Sequence, residues 1–283
     1  MLKNKRRKKR TFVILSLIVL LAIWIYWSNV SIQVTEINVE NDDIPESFSG
    51  FKIVQVSDLH NAQFGGGQSR LTEKIKAADP DIIAVTGDLI DSRHTDIDTA
   101  MEFINAAVKI APVYYVTGNH ESRLDDYPEL KKQLTEAGVT LLQDESVPLE
   151  RGGESIELLG LNDPGFKIKN NYKNISEITD SSLKNISTDS NTYTVLMSHR
   201  PDLINVYSDN NIDLVLCGHA HGGQFRLPFI GGIYAPGQGF FPEYTSGSYT
   251  QDNTTIIVSR GLGNSIFPFR VNNNPELVVI TLE

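Results

Sequence analysis

Five apolar runs in this chain each stop at residues able to bind a metal. Val56 is followed by Ser57-Asp58-Leu59-His60, and Val85 by Thr86-Gly87-Asp88-Leu89-Ile90-Asp91. Val116 leads into Thr117-Gly118-Asn119-His120-Glu121, Met197 into Ser198-His199, and Cys217 into Gly218-His219-Ala220-His221. The chain has six histidines, and only His94 lies outside these positions. One histidine at a strand end is ordinarily a satisfied core or surface residue. Five together, with two aspartates and an asparagine, form a constellation of ligands. Imidazole and oxygen donors without thiolate favour Mn, Fe, Zn or Co over a soft-metal site. The donors are too numerous for one ion. An aspartate can bridge two ions, and a pair about 3.5–4 Å apart can hold a hydroxide and clamp a phosphoryl group.

Such a site requires strands whose carboxyl ends lie together, the usual place for ligands in α/β sheets. The pattern predicts strands at 51–56, 81–85, 113–116, 139–142, 155–161, 192–197, 212–217, 255–258 and 276–282, with a β-prone stretch at 31–39. Helical spacing predicts helices over 68–78, 96–109 and 127–137, and a proline-started one over 201–207. Early β-α-β alternation followed by strand-rich sequence predicts an α/β domain with more than one sheet. The Asn-, Ser-, Lys- and Asp-rich segment 167–191 reads as a polar insertion or mobile loop.

The ordered set Asp-x-His, Gly-Asp-x-x-Asp, Gly-Asn-His-Glu, His and Gly-His-x-His resembles the calcineurin-like metallophosphoesterase superfamily. The form Gly-His-x-His-Gly-Gly-Gln at 218–224 resembles its membrane-anchored bacterial phosphodiesterase branch. The resemblance implies a sandwich of two mixed β-sheets flanked by helices, over residues 50–283. It implies that Asp58, His60 and His221 hold one metal ion, that Asp88 bridges, and that Asn119, His199 and His219 complete a second site. His120 would bind no metal. It would protonate the leaving oxygen or stabilise the transition state, oriented by Asp91. Glu121 receives no role. The implied reaction is hydrolysis of a phosphoester, a diester more than a monoester, by a hydroxide bridging two divalent or trivalent transition-metal ions. A non-catalytic metal-binding envelope protein is the alternative, and a binuclear amide or lactone hydrolase a third possibility.

The remaining features set the context. Residues 1–10 hold seven basic groups and no acid, and 11–27 carry no charge. As a helix the apolar run spans about 26 Å, close to a bilayer's hydrocarbon thickness once 28–30 are added. Trp24, Tyr26 and Trp27 stand where an interfacial aromatic belt would lie. The expectation is a cytoplasmic basic segment (1–10), an uncleaved transmembrane signal anchor (11–30), a connecting segment (31–49) and an enzyme domain outside the cytoplasmic membrane. No small-x-small cleavage site follows Trp27. Beyond residue 10 the chain has 18 basic against 35 acidic groups, a net charge of −17. That excess excludes nucleic acid as the expected partner and leaves a phosphoester, lipid- or envelope-linked. The single cysteine, Cys217, excludes an internal disulfide and reads as core. Arg260 is expected to be an ordinary surface or ion-paired arginine, with phosphate contact as the rival reading. Phe225, Phe229, Phe240, Phe241, Phe267 and Phe269 are expected to pack as loops into the body, with lipid contact as the rival reading.

Overall fold

The computed structural model describes residues 2–168, 175–186, 192–265 and 267–283. Four short strands, β2 (Lys52–Val56), β3 (Ile82–Thr86), β4 (Val113–Val116) and β5 (Thr140–Leu141), lie parallel in that order. Helices α2 (Ser69–Ala78), α3 (Ile97–Ala107) and α4 (Tyr127–Glu136) make the crossovers. Asp96 caps α3 by accepting the Thr99 N–H at 3.0 Å. Strand β16 (Glu276–Leu282) runs antiparallel beside β2, and β1 (Gln33–Val39) closes the edge parallel to β16.

The second sheet has the order β14-β15-β9-β8-β7-β6. Its centre is parallel: β7 (Glu154–Gly160), β8 (Thr194–Met197), β9 (Leu214–Cys217) and β15 (Thr254–Val258). Antiparallel β6 (Glu145–Arg151) and β14 (Gly247–Gln251) form the edges. Helices α5 (Ile175–Asn185) and α6 (Ile204–Asp209) belong to this half. Between β9 and β14 run two short hairpins, β10 (Arg226–Leu227) with β11 (Gly231–Gly232), and β12 (Tyr234–Ala235) with β13 (Gly239–Phe240).

The two sheets pack face to face. Ile53, Ile82, Ala84, Val278 and Ile280 of one meet Leu158, Val195, Leu214, Leu216 and Ile257 of the other. Alternate residues point the other way: Val54, Val56, Ile83 and Val85 lie with Leu71, Ile75, Phe103 and Leu130 of the helices. Burial on both faces explains why these strands read as unbroken apolar runs. The register brings the strand ends level, with Val56 opposite Val85, Thr86 opposite Val116, and Met197 opposite Leu216. Buried Gln55 donates to the Thr86 hydroxyl at 3.1 Å and to the Cys217 carbonyl at 2.8 Å, tying the ends of the two sheets together.

The structure departs from the sequence reading at several elements, among them β14 and the hairpin strands between β9 and β14, where no strand was expected. Within the segment read as a polar loop, residues 175–185 form α5, while 169–174 and 187–191 lie outside the described residues. Its buried face is Thr179, Ser182 and Leu183, too small and polar to show as an apolar period. Strand β6 was not expected, because Pro148 and three flanking charged residues hide it; an edge strand tolerates both. The expected helix from Pro201 begins as a 3-10 turn, Pro201–Leu203, before α6. At the N-terminus, α1 is one continuous helix, Leu2–Val30, long and apolar enough to cross a membrane.

Candidate metal centre

The loops after β2, β3, β4, β8 and β9 meet at the common sheet edge. They interlock through the backbone: Asp58 N–H donates to the Gly87 carbonyl at 3.0 Å, and His60 N–H to the Asp88 carbonyl at 3.1 Å. Asp58, His60, Asp88, His219 and His221 all adopt left-handed backbone, with φ from 45° to 67°. That conformation costs a non-glycine residue about 1–2 kcal/mol, and strain of this kind collects at functional sites. The glycines make room for it. A Cβ on Gly118 would strike the Asp88 carboxylate, and one on Gly218 the Asp58 carboxylate.

Three buried groups result: Asp58 with His60 and His221, Asp88 with His199 and His219, and His60 again with Asp91 and His120. In the first, His60 Nε2 faces His221 Nε2 at 3.2 Å, and His221 Nε2 lies 3.3 Å from Asp58 Oδ1. In the second, His219 Nδ1 faces His199 Nε2 at 3.1 Å, and His199 Nε2 lies 3.2 Å from Asp88 Oδ2. Asp88 Oδ2 also stands 3.6 Å from His60 Nε2, so one carboxylate oxygen lies between the clusters. The loop backbone holds the carboxylates in place. Asp58 accepts the Ser57 hydroxyl at 2.6 Å and the His219 N–H at 3.0 Å, and Asp88 Oδ1 accepts the His120 N–H at 2.8 Å.

These residues fit metal ions. Donors each ~2.1 Å from one ion lie about 3.0–3.4 Å from each other, which four of the six separations match; His60 stands wider, 3.8 Å from Asp58 and 3.6 Å from Asp88. Neutral imidazoles whose ring nitrogens face each other bring lone pairs together unless a proton or a cation lies between. His199 Nδ1 donates to the Thr86 carbonyl at 2.8 Å, so Nε2 is the nitrogen that becomes a metal ligand once an ion displaces its proton. Asn119 Oδ1 is buried without a hydrogen-bond partner, although buried polar atoms rarely lack one. Burial pulls the His199 imidazolium down, but the adjacent Asp88 carboxylate outweighs it and raises it to about 10. Burial likewise pulls His221 down, to about 3, against the opposing effect of Asp58.

His120 and Asp91 form the third group around His60. The His120 ring meets the edge of His60, with centroids 4.5 Å apart. Its Nδ1 lies 3.4 Å from Asp91 Oδ1, while Ser92 N–H donates to the same nitrogen at 3.0 Å. A nitrogen that accepts a backbone N–H carries no proton, which places the ring proton on Nε2. Burial, opposed by Asp88, pulls the His120 conjugate acid down to about 4, so the ring is neutral. Asp91 is held below the usual carboxylate range: burial raises it, and the Arg93 backbone N–H and His120 more than reverse this.

Two supporting groups were missed in the sequence. Glu121, fully buried, accepts backbone N–H bonds from Asp88 at 2.9 Å, Leu89 at 2.8 Å and Gly118 at 2.7 Å. It binds the β3 and β4 loops into one unit. The Gly-Asn-His-Glu spacing displayed it, but a buried acid taking only backbone donors leaves no trace in residue type. Arg200 pairs with Asp163 at 2.7 and 3.2 Å, joining the loop after His199 to the loop after β7. Arg260 pairs with Glu276 at 2.8 Å, as expected. A cavity of about 230 Å³ opens over the clusters, lined by Asp88, Asn119, His120, His219 and His221, with Arg93 and Arg123 at its wall.

Residues 51–223 match the family described as calcineurin-like phosphoesterase. The chain belongs to that family. The metallophosphoesterase YkuE of Bacillus subtilis is 32% identical over 260 residues, covering 89% of this chain and 86% of its own. The phosphodiesterase YaeI of Escherichia coli is 26% identical, covering 82% of each. A transmembrane protein with a metallophosphoesterase domain, from Danio rerio, is 25% identical over 89% of this chain and 57% of its own. As a calcineurin-like phosphoesterase, this chain is a metal-dependent phosphoester hydrolase.

Proposed function

We propose that the protein is a binuclear phosphodiesterase anchored in the membrane by α1, with its hydrolase domain on the extracytoplasmic side. The observation that carries the binuclear reading is the position of Asp88 Oδ2, 3.2 Å from His199 and 3.6 Å from His60. Asp58, His60 and His221 would hold one ion and Asn119, His199 and His219 the other, with Asp88 shared. Manganese, iron, zinc or cobalt suits these donors. Two such ions, when bound, neutralise phosphoryl oxygens and make water a competent nucleophile near neutral pH.

The chain's own groups supply the rest. Arg93 and Arg123 place positive charge at the mouth of an otherwise acidic protein, which favours an anionic substrate. His120 presents its neutral Nε2–H to the phosphoryl group and stabilises, by a hydrogen bond, the negative charge that develops there and on the departing oxygen. The Ser92 N–H keeps the ring in that orientation, with Asp91 adjacent at 3.4 Å. Preference for a diester is supported by the motif resemblance and by the likeness to YaeI. The basic residues before the apolar run of α1 support the outward placement of the domain.

The test is hydrolysis of bis-p-nitrophenyl phosphate by metal-loaded protein, with metal content measured on the same sample. Two ions per chain and turnover that falls sharply in Asp88→Ala support the reading. Bound metal with no turnover of any diester or monoester would instead make this a metal-binding envelope protein.

A further inference from the structure

From the sequence, the phenylalanine-rich loops are expected to pack into the body, and the structure corrects this. Most do not pack into the body. Phe229 is fully exposed, Phe240 is 74% exposed and Phe241 68%. Ile230 beside them is 60% exposed, and Phe267 and Phe269 about 40% each. An exposed apolar set of this size marks a contact with something apolar.

Its position in the fold says what. The end of α1 is seated on the body: Ser28 is buried, and the Asn29 side chain exchanges two hydrogen bonds with the Arg270 backbone, at 2.7 and 3.0 Å. Arg270 directly follows Phe269, and Phe267 lies two positions before that. Both of those rings pack on Phe225, at centroid distances of 5.2 and 5.6 Å. Arg226 N–H donates to the Val271 carbonyl at 3.0 Å, and the hairpin that starts there carries Phe229 and Ile230 at its turn. The Phe241 N–H returns to the Ile233 carbonyl at 2.8 Å. The exposed aromatics are therefore continuous with the point where α1 joins the body. That point is one residue beyond Trp27, where an interfacial belt ends. Buried Arg270 is the rivet, donating onward to the Arg260 and Gly263 carbonyls.

The same loops border the site. His221, Gln224, Tyr234, Pro236, Ser265 and Phe267 line a small apolar cleft, and three of these residues also line the metal-site cavity.

We propose that these loops form an aromatic collar inserted in the bilayer that α1 spans, so that the cavity mouth opens at lipid headgroup level onto membrane-borne phosphoesters. The inference rests on the reading of α1 as a membrane anchor. A helix alone would leave the domain free to stand off the surface, whereas the collar gives it a second contact and a fixed orientation. Aromatic and branched apolar side chains at a membrane boundary are the usual means of such seating.

The test is depth measurement on the full chain in vesicles of phosphatidylethanolamine and phosphatidylglycerol. Single cysteines are introduced as Phe229→Cys, Phe241→Cys, Leu17→Cys and Lys132→Cys in a Cys217→Ser background, spin-labelled, and checked for folding by circular dichroism. Accessibility to oxygen is compared with accessibility to a water-soluble nickel chelate. Labels at 229 and 241 that favour oxygen severalfold over the label at 132, as the label at 17 does, support the collar. A label at 17 in lipid with those at 229 and 241 as aqueous as 132 overturns the collar and leaves the anchor standing. A label at 17 in water overturns the anchor, and the collar with it.

Discussion

His120 differs from the other four site histidines in what its ring nitrogens meet. Theirs face one another and carboxylates, while His120 Nδ1 takes a backbone proton from Ser92. Its Nε2–H is thereby committed to the cavity. His120→Ala is expected to lower kcat on bis-p-nitrophenyl phosphate by about 10²–10³-fold, as for loss of one preorganised hydrogen-bond donor to developing charge, with metal content unchanged. Asp91→Asn is expected to cost tenfold or less, roughly the lower end for an orienting partner, because Ser92 keeps its bond. Equal losses in both variants would refute this division of labour. His199 carries a second prediction. In ion-free protein its folded value of about 10 exceeds its ordinary 6.5. Its pairing with Asp88 therefore stabilises the ion-free fold fully below pH 6.5 and is lost as pH rises through 10. A metal must displace that proton, so affinity should rise by about tenfold per pH unit across the neutral range. Manganese titrations at several pH values, read by calorimetry, would show a flat affinity if this is wrong. The donors themselves were legible because the same residue types ended five apolar runs. Glu121 and the Arg200–Asp163 pair were not, since their partners are backbone groups or lie 37 positions away.

At the level of elements, the site depends on how closely the strand-end loops approach. Gly118→Ala would push a methyl group into the Asp88 carboxylate that Asp88 has no room to avoid, since its Oδ1 accepts the His120 N–H. The expected result is a folded protein that loses metal at the second cluster, read by elemental analysis. Retention of full metal content would disprove it. Glu121→Gln replaces an acceptor oxygen with a donor aimed at backbone N–H groups. A buried donor left unpaired costs about 1–3 kcal/mol, so denaturant midpoints should fall and metal occupancy with them. The central strands were legible for the reason that they are buried on both faces. β6 and α5 were not, because an edge strand and a small-residue helix bury too little apolar surface to leave a period.

For the molecule as a whole, the two sheets are joined by their cores and by Gln55 beneath the site. Ions bound between loops of both sheets would add to that joint. Chelation is expected to lower stability by roughly 3–4 kcal/mol, the linkage expected for ligand at 100 to 1,000 times Kd. Melting curves before and after treatment with EDTA, and after manganese is restored, check it. An unchanged midpoint would mean that the ions do not join the two halves. An α/β domain with more than one sheet followed from the order of strands and helices, and the two-sheet sandwich with helices outside from the motif resemblance. The seating of α1 did not, because Asn29 and Arg270 are 241 positions apart.

Only Ser31 and Ile32 separate the end of α1 from the first strand. With Asn29 fastened to Arg270, such a junction has no slack for swivelling or for reaching outward. In a bilayer, the head would sweep a thin layer as the helix diffuses laterally. Encounters would then be governed by how crowded the target is within that plane, and molecules free in the surrounding fluid would be met far less often.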